Sequence, residues 1–537
     1  MTDSSFPPTP PTAEKRPVTQ SRFGHEWTDD YAWLKDADWQ TVLRQPDALS
    51  ADIRAHLEAE NAYTQAVLGP LSELEAELFE EMKGRLEPAR SSTKLPDGPY
   101  RYYHRFEPGQ EHGTYMREPR EGGAAVVTLD AERLSEQSDG FFDIGDVSHS
   151  PDHARVAYGL DLKGSENNEV FVKPATGEEA RFTGIDTAAG ALVWAGDSEI
   201  LFWVERDENQ RPSSVRYRSV DADGAAALAY EERDPGFFVG VGVSDDDRHI
   251  TISAHDHTTS ELWAVPMDAP ETPPVCFALR RRGVEYGVAP HGGRSYVLSN
   301  DRGAIDFAVF RSDAPLGRES DPAEWETYIE HVPGRLILGL ETYSGHMVRL
   351  ERENALPRIV IRDMDSEAEH AIEMDEEAYA LGLVSGYEYD TTTIHYSYSS
   401  PTTPSSVYAY DMATRARELV RRQTVPSGHD PDDYQTRRIE IEARDRECVP
   451  VTLLFRKGVE PDGTNPLLLY GYGSYGHTIP ADFRTARLSL VDRGFVYAVA
   501  HIRGGMAKGY GWYEAGKLER KVNTFNDFVD AGRALAA

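Results

Sequence analysis

The sequence predicts a β-propeller of about seven blades inserted into an α/β domain, and three observations carry that prediction. First, between about Gly98 and Tyr410 short β-rich runs are separated by Asp, Gly, Asn and Pro turns. They begin near Tyr100 (YRYYHRF), Arg155 (RVAYGL), Glu199 (EILFWV), Arg248 (RHITIS), Arg294 (RSYVLS), His346 (HMVRLE) and Thr393 (TIHYSYS). Their spacing of roughly 45 to 55 residues is the length of a four-stranded blade. Second, the turns before several runs share their chemistry, as in SPDHA at 150–154 and SDDDR at 244–248. A pair of β-sandwiches remains an alternative, although it would not require so even a period. Third, after the propeller two unbroken apolar runs, Leu467 to Leu469 and Phe495 to Ala500, each end in glycines. Runs of this kind read as strands covered on both faces of a parallel sheet. A helix over Phe483 to Asp492, with Leu488 and Val491 inward and Gly494 just past its end, completes a βαβ unit.

The remaining elements follow in order. Residues 1–20 are rich in Pro, Ser and Thr and predict a flexible or extended arm. Trp27, Tyr31 and Trp33 are expected to anchor that arm. Ile53, Leu57, Thr64, Val67 and Leu68 recur at helical spacing, Pro70 interrupts, and Leu71, Leu74, Leu78, Phe79 and Met82 continue on a second helix. Both stripes read as core. A Pro/Gly/Asp linker at 426–431 closes the propeller. Alternation at Ile439, Ile441 and Ala443, then at Val449, Val451, Leu453 and Phe455, predicts an antiparallel hairpin feeding the sheet. The expected division is 1–80 arm and helices, 81–425 propeller and 426–537 the α/β portion, so that the propeller interrupts one domain.

A formal charge of -35, from 91 acidic against 56 basic residues, opposes nucleic-acid binding, which needs a basic footprint. Only ten of the basic residues are Lys. A Lys-poor acidic surface predicts a halophilic protein kept soluble by charge, with an acidic docking surface for cationic substrates as the alternative. Cys276 and Cys448 fit no metal spacing and read as small hydrophobes. No spacing suggests a metal or organic cofactor. The N-terminus lacks a basic start followed by an apolar run, and no stretch approaches the length of a membrane span. A cytoplasmic protein with no membrane and no nucleic-acid partner is the expectation.

YGYGSYG at 470–476, HIRGG at 501–505, WYEAGK at 512–517 and NTFNDF at 523–528, in this order and spacing, resemble the prolyl oligopeptidase family of serine peptidases, in particular its oligopeptidase B branch. DDYAWLKD at 29–36 and LEAENAYTQAVL at 57–68 resemble the same branch. The resemblance implies a seven-bladed propeller acting as a lid over an α/β-hydrolase domain. It also implies hydrolysis of short peptides after Arg or Lys by a Ser/Asp/His triad.

That chemistry needs a nucleophile on a sharp strand-to-helix turn, and no G-x-S-x-G occurs in these 537 residues. Ser474 reads as a turn residue, since Tyr472 stands two before it and Pro480 opposes an immediate helix. Thr524 with Asp527 reads as a capping box opening a helix whose face is Phe525, Phe528, Val529 and Leu535. In the family this helix leads into the strand carrying the nucleophile elbow. The hydrolase domain is therefore expected to be incomplete here, with the triad beyond residue 537. What the resemblance does supply is Tyr472 as a hydroxyl donor to the oxyanion, Tyr475 lining the substrate pocket, and Asp482 in a secondary acidic site where Pro480 replaces the second acid. Arg503 is expected to organise its loop and His501 to be structural, while Met506 and Ala507 replace the family's usual Gly and Glu. Two other readings stay open: a catalytically inactive propeller binding module, and cleavage after Pro.

Overall fold

The computed structural model describes residues 9–177, 179–222, 224–460 and 462–537. The chain divides into two compact units, Met1–Arg85 and Leu86–Ala537.

In the first unit the expected arm is extended only in part. Residues 9–17 lack regular structure, but Val18–Arg22 pairs antiparallel with His25–Asp29 across a turn at Phe23 and Gly24, both with positive φ. The part of the expected arm over residues 1–8 lies outside the described residues. The Trp33 indole donates to the Glu14 carbonyl at 2.8 Å, and the Arg16 guanidinium lies over its ring, so this aromatic does hold the arm. The helices span Ala51–Leu68 and Ser72–Lys83, with Pro70 in a single 3₁₀ turn between them. Their apolar stripes are not core, contrary to expectation: Ile53 is buried, but Leu57, Leu68, Leu71, Leu74 and Phe79 are exposed. Helical periodicity puts apolar residues on one face without saying what covers it.

In the second unit seven sheets follow one another along the chain. Blade 1 occupies 90–130, and blades 2 to 7 occupy 143–182, 188–231, 238–278, 286–329, 335–371 and 380–422. Each of blades 2 to 7 is four consecutive antiparallel strands. The seven β-rich runs of the sequence are the second strands of the blades, from Tyr100–Phe106 to Thr393–Ser399. They stand out because a strand flanked on both sides within its blade and packed between neighbouring blades must be apolar on both faces. Ile200–Arg206 illustrates this, with Leu201, Phe202 and Trp203 fully buried. The core therefore lies between blades, as in the cluster of Leu201 and Trp203 with Ala157 and Val170 of the preceding blade.

The two similar turns are the same structure. Ser150 and Ser244 each donate Oγ to an Asp two residues on (2.6 and 2.7 Å), and each Oγ accepts the N–H of the residue five on (2.9 and 3.1 Å). The fourth residue of each turn, His153 or Asp247, has φ near +60° (60° and 56°). A short polar side chain that caps its own turn makes such a backbone affordable.

After the propeller, Tyr434–Glu442, Cys448–Arg456, Val496–Ala500 and Leu467–Tyr470 form one sheet in that spatial order, antiparallel except for the last pair. The helix between the parallel strands covers Thr485–Val491 with Leu488 and Val491 buried, and Gly494 follows at φ +86°. It starts two residues later than expected because Arg484 is extended and Phe483 packs into the cluster of Tyr434 and Leu454. Asp306 of blade 5 ties this portion to the propeller, accepting the N–H of Gly334 at 2.7 Å and of Tyr510 at 2.5 Å.

Candidate active site

Leu467–Tyr470 runs parallel to Val496–Ala500, so both strands deliver their loops to the same edge, where open α/β sheets bind ligands. The loops interlock backbone to backbone. Gly476 N–H donates to the Gly504 carbonyl at 3.0 Å, and Met506 N–H donates to that of Gly476 at 3.1 Å. A Cβ at Gly504 would collide with the Gly473 carbonyl, and one at Gly516 with the Gly504 amide. Gly473 and Gly504 also have φ of +66° and +92°. Only glycine satisfies both the conformation and the approach.

Arg503 fastens this stack from below. Its Nε donates to Asp527 Oδ2 at 2.9 Å, one terminal nitrogen reaches Oδ1 at 2.5 Å, and the other reaches Asp445 at 2.6 Å. Asp527 is completely buried and also accepts the Arg503 backbone N–H at 3.0 Å. These hydrogen bonds, above all those donated to Asp527, hold the guanidinium firmly charged. The fork thus serves the loop.

The structure corrects the capping-box reading of Thr524 and Asp527. The helix begins at Val522, so both lie inside its first two turns and are buried. Thr524 Oγ1 reaches the Arg503 carbonyl at 2.8 Å, and Asp527 holds the Arg503 side chain. A Thr-x-x-Asp pattern fits a cap and a buried clamp equally well in one dimension. The helical face also splits: Phe528 and Leu535 pack against the sheet core, whereas Phe525 and Val529 are exposed.

Tyr472 stands half-exposed at the crest of the first loop, edge-on to His477 with ring centroids 5.5 Å apart. Tyr475 projects into solvent, 84% exposed, from a backbone at φ +52°. Asp482 sits farther along the same connection, and its carboxylate is already engaged by Arg484 at 2.7 Å and Arg487 at 3.1 Å. Ser474 is a turn residue whose Oγ accepts from Lys521 Nζ at 2.6 Å; the same ammonium reaches the Gly473 carbonyl. His501 is buried beside Thr452 Oγ1 at 2.9 Å, and burial pushes its pKa down to about 4, a neutral structural imidazole. Lys521 is a loop-holding residue that sequence reasoning did not assign, and Thr524 and Asp527 hold the loop where the sequence predicts a cap. NTFNDF was legible as a motif, but its partners lie 20 to 50 residues away.

Comparison with known proteins agrees with this geometry. Residues 10–423 match the family described as "Prolyl oligopeptidase, N-terminal beta-propeller domain", and residues 481–537 match "Prolyl oligopeptidase family". The chain belongs to the prolyl oligopeptidase family. It is 34% identical to dipeptidyl aminopeptidase BI of Pseudoxanthomonas mexicana over 97% of this chain and 73% of that protein. It is 28% identical to protease 2 of Moraxella lacunata, over 98% and 74% respectively. The structure of oligopeptidase B from Leishmania major superposes with a TM-score of 0.86 at 26% identity, covering 98% of this chain and 76% of that one. The fold is a propeller with an α/β-hydrolase portion, and the family is one of serine peptidases. No described helix is long and apolar enough to cross a membrane.

Proposed function

We propose that this chain is the propeller and leading hydrolase portion of a cytoplasmic serine oligopeptidase that cuts short peptides after Arg or Lys. In this reading Tyr472 donates its hydroxyl to the oxyanion, Tyr475 lines the pocket, and the triad is encoded after residue 537. The observation that carries it is the glycine-locked crest at the carboxyl end of a parallel strand, which fixes a phenol in space while leaving its ring half-exposed. A preorganised donor at such a place is what acyl transfer requires. The likeness to oligopeptidase B and protease 2 supports the basic specificity. Asp482 contributes little to binding a second basic residue, because two arginines already balance its charge. The enzyme should therefore favour dibasic over monobasic peptides by less than about threefold, well short of a buried pair's worth.

A second reading, favoured by the relative named a dipeptidyl aminopeptidase, is release of dipeptides from a free N-terminus. Matched fluorogenic peptides separate these readings: internal Arg, internal Pro, and a free versus acetylated N-terminus, assayed with the chain continued through its catalytic domain. Cleavage after internal Arg regardless of acetylation supports the proposal. Activity confined to free N-termini moves it to the second reading, and activity only after Pro overturns the basic specificity.

A further inference from the structure

Among the described residues one group of three metal-ligating side chains converges: Asp97, His149 and His153, each offering one ligand atom with all three within 4.8 Å of one another. They lie in the propeller, far along the chain from the glycine-locked loops. Asp97 ends the inner strand of blade 1, His149 ends the inner strand of blade 2, and His153 occupies the positive-φ position of the Ser150 turn. The carboxyl ends of the inner strands ring a cavity of about 790 Å³, lined among others by Asp146, Asp245, Glu341 and Tyr387. The Asp306 link to Tyr510 lies at the opposite, leading end of an inner strand, beside Gly334, so this mouth faces away from the hydrolase portion.

A single His–Asp contact is ordinary, and His149 Nε2 does lie 2.6 Å from Asp97 Oδ2. The second imidazole makes the arrangement a site. His153 comes from the turn that directly follows His149, and its ring is oriented by the Tyr102 hydroxyl 3.0 Å from Nδ1. Gly98 makes room for it: a Cβ there would stand 2.8 Å from His153 Nε2. The Tyr102 ring also stacks on His149 with centroids 3.7 Å apart and 4° between planes, and Tyr387 of blade 7 closes on His149 edge-on at 5.1 Å. Ligating imidazoles characteristically have an outer hydrogen-bond partner that fixes ring and tautomer, the place the Tyr102 hydroxyl takes at His153.

We propose that Asp97, His149 and His153 bind one divalent transition-metal ion of the Zn²⁺ class. Two imidazoles and one carboxylate suit a borderline cation in tetrahedral geometry, with water in the fourth position. Ligand atoms around such an ion stand about 3.3 Å apart. The three need only close on one another by an ångström or so. The ion would tie blade 1 to blade 2 beside the junction with blade 7. Among the described residues no shared strand closes the ring there, and Arg120 with Glu388 and Arg421 with Glu87 bridge it by side chains. Asp97 stands 52 residues before His149, so the His-x-x-x-His spacing at 149 and 153 shows no third donor in a linear reading.

The chain, stripped with EDTA, can be titrated with Zn²⁺ by calorimetry and with Co²⁺ by visible absorption. One ion per chain, intense tetrahedral-type Co²⁺ bands and a Zn²⁺-raised melting temperature are expected. His153→Gln and Asp97→Asn should each weaken binding at least tenfold, whereas His331→Gln, at a His–Asp pair elsewhere in the propeller, should not. Asp97→Asn can still accept from His149, so it keeps the test decisive should His153→Gln fail to fold, which far-UV circular dichroism reports. Absence of saturable binding by the native chain, or binding that survives both replacements, overturns the proposal.

Discussion

The propeller and the hydrolase portion hold their shapes by different means. In the propeller each blade is completed by strands consecutive in sequence, and the apolar second strand of each is sandwiched between neighbours. Stability there is spread over repeated, nearly equivalent interfaces, so no single residue carries much of it. The hydrolase portion has one four-stranded sheet whose outer strand, Leu467–Tyr470, is partly exposed. Its loops depend on a few long-range anchors: the Arg503 fork, the buried Asp527 and the glycine stack. Precision at the candidate loop crest is concentrated in a few anchors, whereas the strength of the propeller is distributed.

Breaking the concentrated anchor should have the largest effect. Arg503→Met leaves the fully buried Asp527 carboxylate without its partner, and removing one member of a buried pair costs about 3–5 kcal/mol. Urea unfolding should show the hydrolase portion lost at lower denaturant than the propeller, and one unshifted transition would contradict the contrast. Next comes Gly504→Ala, which adds a Cβ against the Gly473 carbonyl at a φ of +92°. A strained non-glycine backbone of this kind costs about 1–3 kcal/mol. Calorimetry should find a lowered melting temperature, with Tyr472-dependent catalysis lost first.

An effect of similar size at high pH and of opposite sign belongs to the propeller mouth. Asp245 accepts the N–H and hydroxyl of Thr342 at 2.8 and 3.1 Å, and burial, reinforced by Glu341 and Asp246, pushes its carboxyl up to about 6. The fold thus favours the protonated acid. Its stabilising contribution is fully present below the ordinary carboxyl pKa and is lost as pH rises through about 6. Asp245→Asn keeps an acceptor for Thr342, so it should stabilise the propeller by about 1–3 kcal/mol at pH 8 and by almost nothing near pH 4. Equal gains at both pH values would show that the carboxyl is not strained.

How much of this was legible in the sequence follows the same division. The propeller was readable because a repeat makes the same demand seven times; its second strands and its Ser-x-Asp turns declared themselves. The βαβ unit was readable from two apolar runs ending in glycines. The N-terminal stripes gave the helices but not their cover, so Leu57 and Phe79 were misplaced inside. At the site, Tyr472 and the glycines announced a constrained loop. The clamp of Thr524 and Asp527 looked like a cap, because its partners come from another strand end. Asp482 looked free because nothing in a linear reading shows Arg484 and Arg487 folding back onto it.

The most direct measurement is steady-state hydrolysis of an Arg-containing peptide by the enzyme carrying its full catalytic domain, comparing Tyr472→Phe with the parent. If the phenol donates to the oxyanion, kcat should fall about 10²–10³-fold with KM nearly unchanged, the loss expected for one oxyanion donor. A kcat within about threefold of the parent, or a loss appearing only in KM, would contradict the role assigned to the loop crest.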